Sequence, residues 1–419
     1  LTAIDSWNWS SNMQVLMSLV GVVTIFAIAV LLSDNRKAIN RRTWLIAFCL
    51  QTLIAAFVLY VPVGGRILDN VVRGEQFVIN PGKHGIEFVF GTQIESSLGF
   101  TIAFNVLPVI VFFAALMSVL YYLGIMQRVI GTFGGWLHKL LGTSHAESVS
   151  AVSNIFVGHT DAPLVVRPYL KNMTQSELFA VMTGGCATIA GAVMMGYAQM
   201  GVELKYLITA SFMAAPGGLM MAKILMPETE SHDQAPAPEE IEEEDEPVNI
   251  FEAIGNGAMI GMQVALGVGA MLVAFVGLIY LINGLLLLLG GLIGVEDLTV
   301  QWVLGKLFAP LAFLLGVPWG EAAQAGSLIG QKLVINEFYA YVSFVEIKGT
   351  LSPYTQLVVT FALCGFSNLA SIAILLGGLG AIAPTRRHDI ARLGLKAVIG
   401  GTLVNLLNAS LAGFFFALQ

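Results

Sequence analysis

Two short stretches hold residue types that could do chemistry in an otherwise apolar chain. The first, Ser153–Pro163, reads SNIFVGHTDAP and places Asn154, His159, Thr160 and Asp161 between the breakers Gly158 and Pro163. The second pairs Glu337, inside INEFYAY, with Phe366, Asn368 and Ser371 inside CGFSNLASIAI. Polar groups at membrane depth are costly and line cavities or ion paths, and non-helical backbone there must be satisfied by protein, water or cargo. Glu337, Asn368 and Ser371 combine carboxylate acceptors, a two-way amide and a hydroxyl, a set suited to a neutral polyol such as a ribose. Asn368 and Ser371 are three apart and would share a helix face, with Phe366 packing beside them. His159, Thr160 and Asp161 mix donors and acceptors, as the edge of a planar heterocycle requires. Asn154, with freed carbonyls around Val157, Thr188 and Ile189, offers oxygen-only ligation that suits sodium; a carboxylate or His159 could carry a proton instead.

Each of these residues also has a structural reading. Glu337 could be a buried carboxylate paired with Lys332, Asn368 could bridge two helices, and His159 and Asp161 could satisfy each other. A metal site is disfavoured, because two potential ligands stand without a third histidine or cysteine nearby. The chain has no GxSxG, HExxH or GxxxxGK[ST], so neither a hydrolase nor an ATP-driven pump is expected, and no cofactor.

The elements that must position these residues are membrane helices. The 419 residues are 56% hydrophobic and 11% charged, with mean hydropathy +0.80, against about 25% charged in soluble domains. The fold class is therefore all-α and polytopic. The opening LTAIDSWNWSSN lacks a basic n-region, so no removable signal peptide is expected. Cys49, Cys186 and Cys364 lie in apolar runs without metal spacing and are expected to be inert packing residues. Pro227–Asn249 carries ten acidic residues and reads as a solvated linker.

Eight crossings are expected: Met13–Ser33, Trp44–Val63, Phe100–Gly124, Ala180–Val202, Leu207–Met226, Gly257–Gly294 (continuing into an interfacial piece), Gln356–Leu379 and Gly394–Phe416. Each is long enough to span about 30 Å of hydrocarbon. Residues 64–100 read as an outer loop with interfacial helices. The basic loop DNRKAINRR marks the cytoplasmic side, which places both termini outside.

The arms Ser144–Val157 and Ala162–Leu170 are too short to span at 1.5 Å per residue, so they form a hairpin entering from the cytoplasm. A second hairpin, Pro310–Phe344, enters from outside. Each is followed by a helix with a polar interruption, MTGGCATIAG and ALCGFSNLASIAI. Opposed hairpin-plus-broken-helix units form an inverted repeat with the site at midplane, which favours alternating access over a channel.

At NIFVGHTDAPLVVRPYL, NEFYAY and CGFSNLASIAILLGGLGAIAPTRRHDIA the chain resembles the concentrative nucleoside transporters of bacterial type, over essentially its whole length from Met13. The resemblance implies an elevator-type transporter of the cytoplasmic (inner) membrane, a homotrimer importing nucleosides with sodium or, in some members, a proton. It implies N-terminal helices in 1–100, scaffold helices in 101–130 and 251–300, a first repeat in 131–226, a linker in 227–250 and a second repeat in 301–419. It also implies that Glu337, Asn368 and Ser371 bind ribose with Phe366 beside them, and that Val193 faces the base. Asn154, Val157, Thr188 and Ile189 match the sodium positions. The family usually reads GQTEAP where this chain reads GHTDAP. His159 and Asp161 thus alter the base-reading side, which implies a changed base preference, a modified nucleoside as cargo, or added pH dependence. A symporter of another hydroxylated small molecule, and an uncoupled receptor or conduit, are the competing readings.

Overall fold

A computed structural model describes residues 11–91, 101–159, 162–230, 247–295 and 297–419. Among them the secondary structure is helical, with no strand. The helices are α1 (Ser11–Leu31), α2 (Arg41–Leu59), α3 (Pro62–Phe90), α4 (Leu107–Tyr122, entered through a π-turn at Ile102–Val106), α5 (Ile125–Leu141) and α6 (His145–Ser153). They continue with α7 (Arg167–Leu170), α8 (Gln175–Ala187), α9 (Gly191–Gln199), α10 (Leu204–Leu225), α11 (Ile250–Ile293) and α12 (Val300–Leu314). The last are α13 (Trp319–Val334), α14 (Glu337–Ile347), α15 (Pro353–Leu363), α16 (Ala370–Ile382) and α17 (Arg387–Ala417).

Among the described residues α1, α2, α4 with its π-turn, α8–α9, α10, α11 and α17 are long and apolar enough to cross a membrane, and the broken α15–α16, whose half α16 is apolar but short, is the eighth crossing of the expected order. The span α8–α9 and helix α10 are buried along most of their length, whereas α11 is almost wholly exposed along its apolar window. The core therefore lies among the repeat helices, and α11 presents its side chains to lipid or a neighbour. At 44 residues α11 is about 66 Å long, one uninterrupted helix that takes in the expected crossing and begins earlier, at Ile250. Glycines set its seating on α4: a Cβ at Gly257 or Gly261 would lie 2.6–2.8 Å from α4 atoms, so the two helices meet backbone to backbone.

The ends of the helices sort into two faces. On one face Asp34 donates its backbone N–H to Leu225 O (3.0 Å), Thr43 Oγ1 donates to Leu141 O (2.9 Å) and Arg386 Nη1 donates to Met173 O (2.6 Å). On the other, Lys348 Nζ donates to Gly201 O (2.9 Å), and the Gln419 side chain donates to Leu59 O. The first hairpin has its base on the Asp34 face and the second on the Lys348 face. They are opposed, as the inverted repeat requires.

Three segments differ from the sequence expectation. Residues 64–90 fall in a single 29-residue helix, α3, with Pro81 inside it. The second hairpin begins at Trp319, not Pro310. Pro310 lies within α12, and the chain turns at Gly316, whose φ of +93° suits glycine, and at Pro318, the N-cap of α13; α12 and α13 meet at 114°. The first arm ends its regular helix at Ser153 and tightens through Asn154–Phe156 before the tip. Of the free cysteines, Cys186 and Cys364 are buried as expected, but Cys49 is exposed on α2.

Candidate functional site

The site is built where two helices stop. Helix α8 ends at Ala187, and Thr188 is extended at φ −117°, ψ 170°. Helix α15 ends at Leu363, and residues 364–369 run irregularly to α16. The two breaks touch: Phe366 donates its backbone N–H to Thr188 O (3.0 Å). Backbone polar groups freed by a break must find partners inside the protein, and here each break supplies the other.

Around this junction the structure gathers most of the residues singled out by sequence. Glu337 opens α14 and is buried. Its Oε2 accepts from Asn368 Nδ2 (2.9 Å) and its Oε1 from Tyr197 OH (3.1 Å). Asn368 sits in the break, not on the helix as the three-residue spacing suggested. Its Oδ1 accepts from Ser371 N–H (2.9 Å) and Ser371 Oγ (3.1 Å), the work of a capping side chain at the start of α16. Ser371 Oγ is also placed to donate to Phe366 O. The Phe366 ring lies 4.7 Å from the His159 ring, so the tip of the first hairpin meets the break of the second repeat across it. His159 is buried, and neither ring nitrogen has a partner among the described residues. Val193 is buried in the first turn of α9.

Asn154 donates Nδ2–H to Ser150 O (2.9 Å), while its buried Oδ1 has no partner among the described residues. It rests on α8: a Cβ at Gly185 would lie 3.7 Å from this oxygen and 2.7 Å from His159 Cβ. Glycine there lets the hairpin tip approach the helix. Thr188 Oγ1 donates to Gly184 O (3.2 Å), which leaves its lone pairs free, and Ile189 follows in the same extended turn. Val157 closes the arm by donating to Ser153 O (3.0 Å). Thr160 and Asp161 lie outside the described residues. Lys332 does not take Glu337 as its hydrogen-bond partner; its Nζ donates to Ala362 O (2.9 Å) and Asn405 Oδ1 (2.6 Å).

Comparison with known proteins bears on the same surfaces. The descriptions "Na+ dependent nucleoside transporter N-terminus", "Nucleoside recognition" and "Na+ dependent nucleoside transporter C-terminus" match residues 20–93, 103–203 and 206–413. The nucleoside permease NupC of Helicobacter pylori is 50% identical over 415 residues, covering 96% of this chain and 98% of that one. The chain belongs to the Na+-dependent, concentrative nucleoside transporter family.

An uncharacterized transporter of Haemophilus influenzae is 56% identical over 97% of this chain and 99% of its own. The structure of the transporter CNTnw in an inward-facing, substrate-bound state superposes with a TM-score of 0.92 at 53% identity, covering 97% of this chain and 99% of that one. The fold is thus that of an elevator-type nucleoside transporter, and the protein is a transporter, not an enzyme. Two features of this transporter were not read from sequence. Tyr197 is fully buried on α9, and its hydroxyl carried no signal within an apolar helix. Asn405 of α17 donates Nδ2–H to both Ala187 O and Cys364 O (2.7 Å each), and its NLLN context reads as an ordinary helix interior.

Proposed function

We propose that this transporter imports nucleosides across the bacterial cytoplasmic membrane together with sodium, as a homotrimer with both termini outside. The observation that carries the reading is the meeting of Glu337, Asn368 and Ser371 with Phe366 and His159 where α8–α9 and α15–α16 break. A carboxylate has about four acceptor sites. Tyr197 and Asn368 occupy two on Glu337, and the vicinal hydroxyls of a ribose fill others. Phe366 packs on the sugar or base, Val193 faces the base, and His159 with Thr160 and Asp161 reads its edge.

Sodium is held by the Asn154 side-chain oxygen, the Thr188 hydroxyl and main-chain oxygens at Val157 and Ile189. A buried amide oxygen without a donor is costly, and a cation removes that cost. The site joins both repeats, so cargo and cation bind one body. In the elevator reading, hairpins, broken helices, α1, α2, α10 and α17 move against a scaffold of α4 and α11. The arrangement of 1–100, 131–226 and 301–419 around the scaffold segments 101–130 and 251–300 follows from the same reading.

Uptake of labelled uridine into proteoliposomes tests it. An inward sodium gradient should drive accumulation above equilibrium, competed by nucleosides and not by free bases. Accumulation driven by a proton gradient alone would keep nucleoside import and replace sodium as the coupling ion. Equilibration without accumulation would show an uncoupled conduit.

A further inference from the structure

The two repeats can be placed in register from their backbones. The last i→i−4 bond of the first hairpin arm runs from Val157 N–H to Ser153 O (3.0 Å), and that of the second from Ile335 N–H to Gln331 O (2.8 Å). Both pairs differ by 178 (335 − 157 and 331 − 153). That offset pairs His159 with Glu337 at the tips and Asn154 with Lys332 in the arms. A second feature agrees at its donors, which also differ by 178, while its acceptors are one residue out of register: the start of each second half-helix donates one backbone bond to its hairpin arm, Gly191 to Phe156 O (3.0 Å) and Leu369 to Leu333 O (3.1 Å).

Equivalent places therefore hold opposite chemistry. In the first repeat Asn154 brings a buried, unpartnered oxygen to the C-terminal end of α8. In the second, Lys332 brings a fully buried amino group to the C-terminal end of α15, where it donates to two oxygens, Ala362 O and the Asn405 side chain. Asn405 in turn ties the carbonyls of Ala187 and Cys364, and Ser367 Oγ donates to its Oδ1 (3.0 Å). Helix C-termini carry partial negative charge and favour a cation, and unwound carbonyls at such ends are where transporters hold sodium. The first end is open to a mobile cation; the second already has a covalently attached one.

We propose that Lys332 is a built-in cation standing where the second repeat would otherwise bind sodium, so that one sodium ion moves with each nucleoside. The inference rests on the Asn154 sodium reading. It makes Lys332 a positioning residue whose charge fixes the stoichiometry and holds the α15 end and Asn405 together without an ion. Replacing Lys332 by the asparagine of the first repeat restores the ligand chemistry of a sodium site.

The experiment is sodium-driven uridine transport in proteoliposomes, read as a reversal potential for stoichiometry and as the sodium dependence of the initial rate. Wild type should couple one sodium per uridine with a Hill coefficient of about 1, and Lys332→Asn should shift the coefficient towards about 2. Lys332→Arg should keep the wild-type stoichiometry. In detergent, sodium should restore the thermal stability lost in Lys332→Asn but not that lost in Lys332→Met. Two sodium ions per uridine in wild type would overturn the proposal with no variant needed. So would a Lys332→Asn protein whose rate and stability respond to sodium as the Lys332→Met protein does. Wild-type uptake indifferent to sodium would instead remove the Asn154 reading, and this inference with it, before any variant is made.

Discussion

Glu337 binds both Asn368 and Tyr197 through a buried carboxylate, and its charge is the feature a neutral replacement removes. Hydrogen bonds to charged groups contribute about 1.5–3 kcal/mol each. Glu337→Gln should therefore weaken uridine binding by about 10- to 100-fold per lost charge-assisted contact. Calorimetry should show this while sodium still raises thermal stability, because Asn154 is untouched. In the proposed reading His159 meets the other end of the cargo. Its ring nitrogens are free among the described residues and its ring lies against Phe366. His159→Gln should leave sodium dependence unchanged and reorder a competition panel of purine, pyrimidine and modified nucleosides. Wild-type uptake measured between about pH 5.5 and 8 decides whether the imidazole adds a titrating group there; a flat profile confines its role to base reading.

Hairpins and half-helices stay where they are because their ends are tied. At the base of the first hairpin, Lys223 of α10 pairs with Glu147 (2.9 Å), itself almost wholly buried, and with Glu228 (3.2 Å), and donates to Ser176 Oγ (2.9 Å). Glu147 also closes a capping box with Ser144 at the start of α6. Removing one partner of such a pair leaves a buried charge uncompensated, at about 3–5 kcal/mol. Lys223→Met should lower the unfolding temperature in detergent, and the Lys223→Met/Glu147→Gln double variant should recover part of the loss. At the other end of the arm, Gly185→Ala puts a methyl 2.7 Å from His159 Cβ. The tip must shift, and uptake should need more sodium and more uridine for half-saturation.

In the proposed elevator reading one body moves past another, and Gly196 lies on the seam between them. A Cβ there would be 3.1 Å from Val106 and 3.7 Å from Ile110, both on the proposed scaffold side. Gly196→Leu should lower the maximal uptake rate while leaving the uridine KM near wild type, because it obstructs sliding and not binding. A mass in detergent three times 44.7 kDa would support the trimer, with the exposed apolar flank of α11 as the surface between or around subunits.

Much of this was legible in one dimension. Hydropathy marked most of the crossings, since about 20 apolar residues must span the hydrocarbon; the broken α15–α16 was placed by its polar interruption and the hairpin before it. Glycine and proline beside isolated polar residues marked both hairpins and both breaks, because backbone freed from a helix in a membrane needs a local cause and a local partner. The misread start of the second hairpin shows the limit: Pro310 is absorbed inside α12, while Gly316 and Pro318 make the turn. Likewise Asn368 caps α16 rather than riding on it. Only the tertiary structure decided which polar residues meet. Tyr197 reaches Glu337 across 140 positions, and Asn405 joins two breaks 177 residues apart (364 − 187). Sequence spacing carries the periodicity of single elements, but partners this distant are chosen by packing, where every buried polar group must find whichever complement the fold brings within 3 Å.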